Sequence, residues 1–175
     1  MTPAPELSLG ERVLRDDGYR FVVPLDVPDS AFDGQGHLNN AAVAQIFNDL
    51  RVNYMVTANP EFGRSLAERG YVVAVREMHM LFESQGMPGE RLVGSVRIEG
   101  RRGRAQVTEQ RVVEESTGRP IARAWLLHLM LCDGRVVDWP ESYWDTVAEI
   151  EAVAMPARPR IEPVPFGPPA SGRQA

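Results

Sequence analysis

The chain has 175 residues, 43% of them hydrophobic and 25% charged, and its formal net charge is -5 at pH 7. This length and composition are typical of one globular domain that buries a core without disulfides, and the acidic balance argues against nucleic-acid binding. The single cysteine, Cys132, excludes an internal disulfide, and no stretch approaches the roughly 20 apolar residues that a membrane helix needs.

The first residues have neither the basic start nor the apolar segment of a signal peptide, so we expect a cytoplasmic protein without a membrane partner. Three histidines are present, and none has the spacing of a metal-ligand pair, which predicts no metal site. We expect one domain over residues 1–153, with residues 1–10 loosely ordered. Residues 154–175 hold six of the fourteen prolines, which predicts a mobile or extended tail.

The first predicted strand covers residues 19–27, where apolar and other residues alternate. Pro24 and Pro28 lack a backbone N–H donor, so this strand is expected at an edge of a sheet or at a bend. A turn should follow, because glycines stand at positions 34 and 36 and permit backbone conformations that side chains forbid.

This turn carries the residues most suited to chemistry, from Asp33 to Asn40. Asp33 lies four residues before His37, and Asn39 and Asn40 supply the side-chain acceptors that helix starts prefer. A helix N-terminus has unpaired N–H groups and about +0.5 of a charge, so it stabilises a carbonyl oxygen that gains negative charge. The segment therefore predicts a carboxylate close to an oxyanion site.

A long amphipathic helix of about 17 residues should follow, because apolar residues recur at helical spacing. The residues on this stripe are Val43, Ile46, Phe47, Leu50 and Tyr54. A second, short helix is predicted over residues 61–69, and a last one over residues 141–154, directly after Pro140.

Between these helices the pattern changes to four strands, predicted at residues 71–83, 91–99, 105–114 and 121–132. The connections are short and rich in glycine, which predicts antiparallel pairing between consecutive strands. A single apolar helix must be covered, so the chain is predicted to be an α+β protein with a curved sheet wrapped around that helix. Such a sheet leaves its convex face and edges open, which favours pairing with a second copy.

The order of elements and the sequence Asp-Gly-Gln-Gly-His-Leu-Asn-Asn at residues 33–40 together resemble the hotdog-fold acyl-CoA thioesterases, particularly the 4-hydroxybenzoyl-CoA thioesterase-like group. The family motif is an aspartate, two variable residues and Gly-His-Val-Asn-Asn, and here Leu38 replaces the valine. The likeness continues at Asp49 and Arg51 on the helix and at the Arg102–Arg104 turn. It covers roughly residues 19–140.

The resemblance implies a hotdog fold and hydrolysis of acyl-CoA or aroyl-CoA thioesters. Asp33 would act as nucleophile or as general base, and the backbone N–H groups around Gly36 and His37 would form the oxyanion site. Coenzyme A is then part of the substrate, and no separate cofactor is expected. The site would lie between the subunits of a homodimer or of a dimer of dimers.

Further residues are candidates for substrate binding, each with a structural alternative. Asn39 and Asn40 either cap the helix or hold substrate or water. Arg102 and Arg104 either form a solvated turn or bind the phosphates of coenzyme A. The methionines Met78, Met80 and Met87 line an acyl pocket or, for the two on the strand, form plain core.

The two remaining histidines, His79 and His128, fall within strand patterns and are expected to be packed or surface residues. Asp33 also fits an ordinary Asp-Gly turn without a catalytic role, and His37 either takes part in catalysis or bridges the turn to the sheet. Two other functions stay open: a hotdog-fold acyl-CoA dehydratase or hydratase, and a non-catalytic acyl-CoA-binding regulatory module.

Overall fold

The computed structural model describes residues 7–58, 63, 64, 66 and 68–152, which form a six-stranded antiparallel sheet with helices packed on it. The strands are β1 (Phe21–Leu25), β2 (Tyr71–Phe82), β3 (Leu92–Arg102), β4 (Ala105–Glu114), β5 (Pro120–Cys132) and β6 (Arg135–Val137). The helices are α1 (Leu9–Asp16), α2 (Asn40–Ala58) and α3 (Glu141–Glu151), with a 3-10 turn at Asp29–Ala31. The strand order is β1-β3-β4-β5-β2, and β6 pairs with the end of β5.

The core lies between α2 and the concave face of the sheet, as the helical periodicity predicts. Val43, Phe47, Leu50 and Tyr54 are all buried in one cluster with apolar side chains of β3, β4 and β5. Gly94 permits this close approach, because a Cβ at that position would lie 2.7 Å from the Leu50 side chain. The predicted α+β architecture, a curved sheet around one central helix, is confirmed.

Most element bounds agree with the sequence predictions to within three residues. Strand β4 agrees at both ends, and β1 is an edge strand, as its prolines predict. Strand β1 is shorter than predicted at both ends, and α2 is 19 residues long rather than about 17. Of the predicted helix at 61–69, Gly63, Arg64, Leu66 and Glu68 are helical and the other interior positions lie outside the described residues, as does the predicted tail at 154–175.

The prediction of loose order up to residue 10 is wrong for residues 8–10, because α1 begins there. Ser8 caps the helix: its Oγ accepts a hydrogen bond from the Glu11 N–H at 3.2 Å, and the Glu11 carboxylate accepts one from the Ser8 N–H at 2.8 Å. Leu14 of α1 is buried against Tyr19, Val93 and Val113 on the convex face. The predicted open convex face is therefore closed over β3 and β4.

The pairing predicted between consecutive strands is wrong for β2 and β3. Strand β2 pairs with β5 instead, and β3 lies between β1 and β4. The connection from β2 to β3 crosses the start of α2, where the Leu38 N–H donates to the Gly86 carbonyl oxygen at 2.9 Å. This crossing places residues 84–86 beside the Asp33 turn and leaves β2 at the sheet edge.

Candidate active site

The turn that carries Asp33 is closed by main-chain bonds. Phe32 and Leu38 form an antiparallel bridge, the Asp33 N–H donates to the His37 carbonyl at 2.9 Å, and the Gly36 N–H donates to the Asp33 carbonyl at 2.9 Å. Gly36 has a φ of +77°, a conformation that favours glycine. The tight turn predicted from the glycines is present, and Gly36 is the one that requires its left-handed backbone.

The Asp33 carboxylate is exposed and is held by backbone donors from its own turn. Its Oδ1 accepts hydrogen bonds from the Gln35 N–H at 2.8 Å and from the His37 N–H at 3.0 Å. These bonds, the one from His37 first, lower the pKa of Asp33 below its ordinary value. The carboxylate is therefore ionised at neutral pH and fixed in one orientation.

Asn39 is the N-cap of α2, which confirms one of its two predicted roles. Its Oδ1 accepts a hydrogen bond from the Ala41 N–H at 2.8 Å, and its carbonyl oxygen accepts one from the Val43 N–H at 3.0 Å. Asn40 is the first helical residue, and its N–H has no partner among the residues that the structure describes. This N–H is an open donor at the positive end of the helix.

The oxyanion site predicted at Gly36 and His37 differs from this geometry. Both N–H groups already donate to Asp33, and both residues lie before the first turn of α2. They position the carboxylate, whereas the Asn40 N–H is the donor left open. The sequence signal for this donor is its place directly after the N-cap, since the first N–H groups of a helix have no intrahelical partner.

Asp33 and Asn40 open onto one pocket of about 420 Å³. The wall is contributed by the Asp33 turn, the first turn of α2, the end of β2, the connection after β2 and the start of β5. Its lining residues are Asp33, His37, Leu38, Asn39, Asn40, Val43, Phe82, Ser84, Gln85, Gly86 and Ile121. The sequence analysis missed the last five. Ser84, Gln85 and Gly86 approach the turn through the crossing of the β2–β3 connection, and Phe82 and Ile121 approach it through the pairing of β2 with β5.

Gly86 is the one of these five with a local constraint. A Cβ at this position would lie 3.1 Å from the Leu38 side chain, so a larger residue there would require Leu38 to shift by a few tenths of an ångström. Phe82 is 48% exposed and lies on β2 at the free edge of the sheet. The pocket thus combines polar groups of the Asp33 turn with apolar side chains of the sheet.

Arg102 and Arg104 lie at the opposite end of the sheet within one chain. The β4–β5 register pairs Gln106 with His128, and His128 is seven residues, or about 23 Å, from Ile121 at the pocket. The Arg104 side chain contacts Asp138 at 3.1 Å and donates to the Val136 carbonyl at 3.2 Å. A single chain does not bring these arginines to Asp33.

Two other classes of site are absent from the described residues, which are 7–152 with the gaps noted above. No group of three or more His, Cys, Asp or Glu side chains is arranged to hold a metal ion. No helix among those residues has the length and hydropathy of a membrane span.

A curved antiparallel sheet around a central helix, with an aspartate turn at the start of that helix, defines a hotdog-fold domain. The sequence matches the thioesterase-like superfamily over residues 27–152, and the chain belongs to that family. This confirms the family resemblance seen in the motif at residues 33–40. Among curated proteins, none matches the chain significantly.

Solved structures share the fold at low sequence identity. A thioesterase from Thermus thermophilus, solved with coenzyme A and zinc, is 23% identical with a TM-score of 0.66, over 78% of this chain and 98% of its own. A thioesterase-superfamily structure from a Jannaschia species is 16% identical with a TM-score of 0.69, over 87% and 98%. A 1,4-dihydroxy-2-naphthoyl-CoA thioesterase from Synechocystis is 12% identical with a TM-score of 0.66, over 74% and 96%.

Proposed function

We propose that the protein is a thioesterase that hydrolyses acyl-CoA or aroyl-CoA. The observation that carries this proposal is that an ionised, oriented carboxylate and an open helix-start N–H face the same pocket. Membership of the thioesterase-like superfamily supports the reaction class, and the coenzyme A in the Thermus thermophilus structure supports the ligand class.

The Asn40 N–H would bind the carbonyl oxygen of the thioester. Negative charge develops on this oxygen when the carbonyl carbon is attacked, and the N-terminus of α2 stabilises it. One well-placed donor of this kind contributes about 10²–10³-fold to a rate. The proposed oxyanion site thus stays at the helix start, with the Asn40 N–H as its donor in place of the N–H groups of Gly36 and His37.

Asp33 would supply the attack in one of two ways. As a nucleophile, its carboxylate oxygen bonds to the thioester carbon, the C–S bond breaks, and water then hydrolyses the mixed anhydride. As a general base, it takes a proton from the water that attacks the same carbon. In both cases water is consumed, a carboxylic acid forms, and coenzyme A leaves as a thiolate that takes up a proton.

A second copy of the chain would complete the site. In the described residues β2 pairs only with β5, and its side chains Val72, Val75, Met78 and Phe82 are exposed apolar groups on an edge strand. Antiparallel pairing of two β2 strands about a twofold axis would cover this edge. Since the axis reverses the partner's sheet, the end of that sheet with the partner's Arg102 and the partner's Arg104 would lie level with this pocket.

The reaction is tested by supplying purified protein with a panel of acyl-CoA and aroyl-CoA thioesters while a thiol reagent measures free coenzyme A. We expect cleavage by the parent protein and by Asp145→Asn, which removes an exposed carboxylate of α3. Asp33→Asn keeps the acceptor for the turn, so it should fold normally and lose about 10²–10⁴-fold in kcat/KM. Equal rates for Asp33→Asn and the parent would contradict the assignment.

The same samples distinguish the thioesterase from the two other functions that the sequence leaves open. Binding of acyl-CoA without release of coenzyme A would indicate a non-catalytic module, and hydration or dehydration of an enoyl- or hydroxyacyl-CoA would indicate the other enzyme class. Light scattering measures the oligomeric state, and an active monomer would contradict a site completed by a second copy.

A further inference from the structure

The connection between β2 and β3 forms one wall of the active-site pocket, and its main chain has few bonds there. Residues 84–86 all line the pocket. Within the described part of the chain, two main-chain bonds join these residues to other elements. The Ser84 N–H donates to the Ile121 carbonyl oxygen at 3.2 Å, and the Gly86 carbonyl oxygen accepts from the Leu38 N–H at 2.9 Å. Main-chain bonds alone therefore leave this wall of the pocket loosely held.

Arg119, in the turn before β5, adds side-chain bonds to the same connection. Its Nη1 donates to the Ser84 Oγ at 2.7 Å and to the Gln85 carbonyl oxygen at 2.6 Å. Its Nη2 pairs with the Glu90 carboxylate at 2.6 Å, and this carboxylate also accepts a hydrogen bond from the Met87 N–H at 2.8 Å. Hydrogen bonds from a charged donor are stronger than neutral ones. One guanidinium thus fixes the connection near its start and near its end.

The turn that carries Arg119 is closed without this side chain. The Glu114 carboxylate accepts hydrogen bonds from the N–H groups of Ser116 at 2.9 Å and Thr117 at 2.7 Å. The Gly118 N–H donates to the Glu114 carbonyl oxygen at 2.9 Å, and the Glu114 N–H donates to the Arg119 carbonyl oxygen at 2.9 Å. The guanidinium therefore serves the neighbouring connection and not its own turn.

The connection in turn contacts the Asp33 turn. The Leu38 N–H that donates to Gly86 belongs to the residue that forms the antiparallel bridge with Phe32, and this bridge closes the turn. A shift of the connection would move both the pocket wall and the acceptor of this N–H relative to the Asp33 carboxylate. In an active site, a misplacement of about 1 Å costs about 10²-fold in rate.

We propose that Arg119 is a positioning residue for the active site. By holding residues 84–86 against the start of α2, it fixes the pocket wall relative to the Asp33 carboxylate. Ser84 is a bonded part of this wall, because its hydroxyl accepts from Arg119 and donates to the Pro120 carbonyl oxygen. This inference rests on the proposed thioesterase function, and it adds a residue that acts on the reacting groups through the connection.

The test compares Arg119→Met and Arg119→Lys with a control, Arg91→Met, which removes an exposed arginine that pairs with Glu115 at the end of the same connection. Rates are measured with benzoyl-CoA and hexanoyl-CoA at a temperature where circular dichroism shows that each variant is folded. Arg119→Met should lose about 10–100-fold in kcat/KM and change the ratio of the two kcat/KM values by at least about threefold. Arg119→Lys should recover part of the loss, because one ammonium group cannot reach all three partners. The control should keep both rates within about twofold.

The ratio of the two rates distinguishes positioning from a loss of folded protein. A smaller folded fraction lowers both rates by the same factor, so a loss without a change of ratio overturns the inference and leaves the thioesterase function intact. Rates like those of the parent in Arg119→Met overturn it as well. If Arg119→Met does not fold, Arg119→Lys takes its place in each comparison.

Hydrogen exchange decides the inference without any activity. If the parent cleaves neither thioester, the proposed function fails, and the exchange rate of the Leu38 amide is compared instead. This amide should exchange at least about tenfold faster in Arg119→Met than in the parent or in Arg91→Met, because its acceptor is no longer held in place. Equal exchange rates in the three proteins would overturn the inference.

Discussion

The two ends of α2 hold carboxylates in opposite ways. At the N-terminal end, Asp33 is exposed, and within the described residues its side chain is bonded only by backbone groups of its own turn. Toward the C-terminal end, Glu151 of α3 is 4% exposed, and its Oε1 accepts hydrogen bonds from the Tyr54 hydroxyl at 2.7 Å and from the Ile98 N–H at 2.8 Å. The first carboxylate faces a pocket, whereas the second joins α2, α3 and β3.

This difference assigns catalysis to the N-terminal end of α2 and stability to its C-terminal end. A carboxylate that is bonded locally and exposed can react without disturbing the core. A carboxylate that joins three elements in the interior cannot be removed without taking an acceptor away from buried donors. We therefore expect substitutions at the first end to change catalysis and substitutions at the second end to change the free energy of unfolding.

Among substitutions on α2 itself, the largest expected effect concerns the Asn40 N–H. Asn40→Pro removes this donor, and proline is accepted at the first position of a helix, because an N-cap residue typically has the extended conformation that a following proline favours. We expect kcat to fall about 10²–10³-fold, with circular dichroism and melting temperature close to those of the parent. Asn40→Ala is the matched control, because it removes the side chain and keeps the N–H, so it should stay within a few-fold of the parent. If both variants were equally active, the open N–H would not be the oxyanion donor.

The second prediction concerns His128, which is buried on β5, and the dependence of the free energy of unfolding on pH. Burial lowers the pKa of His128 to about 3 in the folded protein, and this pKa is about 6.5 in an unfolded chain. The unfolded state therefore binds the extra proton first, and stability that is complete above about pH 6.5 is lost as the pH falls toward about 3. The expected slope in this window is about 1.4 kcal/mol per pH unit.

His128→Leu provides the check, with unfolding measured by denaturant at several pH values. The slope between about pH 6 and pH 4 should be smaller in the variant by about 1.4 kcal/mol per pH unit. The carboxylate of Asp33 should contribute little between about pH 6 and pH 4, because its pKa is lowered from an ordinary value of 3.8. An unchanged slope would show that His128 is protonated in the folded protein.

The third prediction concerns Glu151. Glu151→Ala leaves the Tyr54 hydroxyl and the Ile98 N–H without this acceptor in the interior, which should reduce the free energy of unfolding by about 2–3 kcal/mol. The pocket at the other end of α2 should keep its kcat/KM at a temperature where the variant is folded. Glu149→Ala on the exposed side of the same helix is the control. A loss of activity in folded Glu151→Ala would mean that the two ends are coupled.

The same contrast explains how much of the molecule could be predicted from sequence. Asp33, Asn39 and the turn are contiguous, so local rules for glycine, capping and helix starts identify them. Phe82 and Ile121 reach the pocket through the pairing of β2 with β5, and a short connection does not reveal that it crosses a helix instead of closing a hairpin. That His128 has no hydrogen-bond partner among the described residues likewise depends on what packs above the sheet.

Helix α1 was missed for a different reason. Its capping pair, Ser8 and Glu11, is visible in the sequence, but Gly10 between them indicates a break. The structure explains this glycine, since a Cβ there would lie 2.9 Å from the Glu114 carbonyl oxygen. The packing of α1 against β4 therefore explains why position 10 is a glycine, although the low helix propensity of glycine alone indicates disorder there.

The smallest expected effect compares two helix caps, one at the pocket and one away from it. Asn39→Ala removes the acceptor of the Ala41 N–H, and Ser8→Ala removes the acceptor of the Glu11 N–H. Each should reduce the free energy of unfolding by about 1 kcal/mol. The activities should differ, because an uncapped first turn of α2 leaves the Asn40 N–H less well fixed beside Asp33, whereas α1 lies on the other face of the sheet. The kcat/KM of both variants, measured at one temperature, tests this difference in activity. Equal activities would show that the Asn39 cap supports the fold alone.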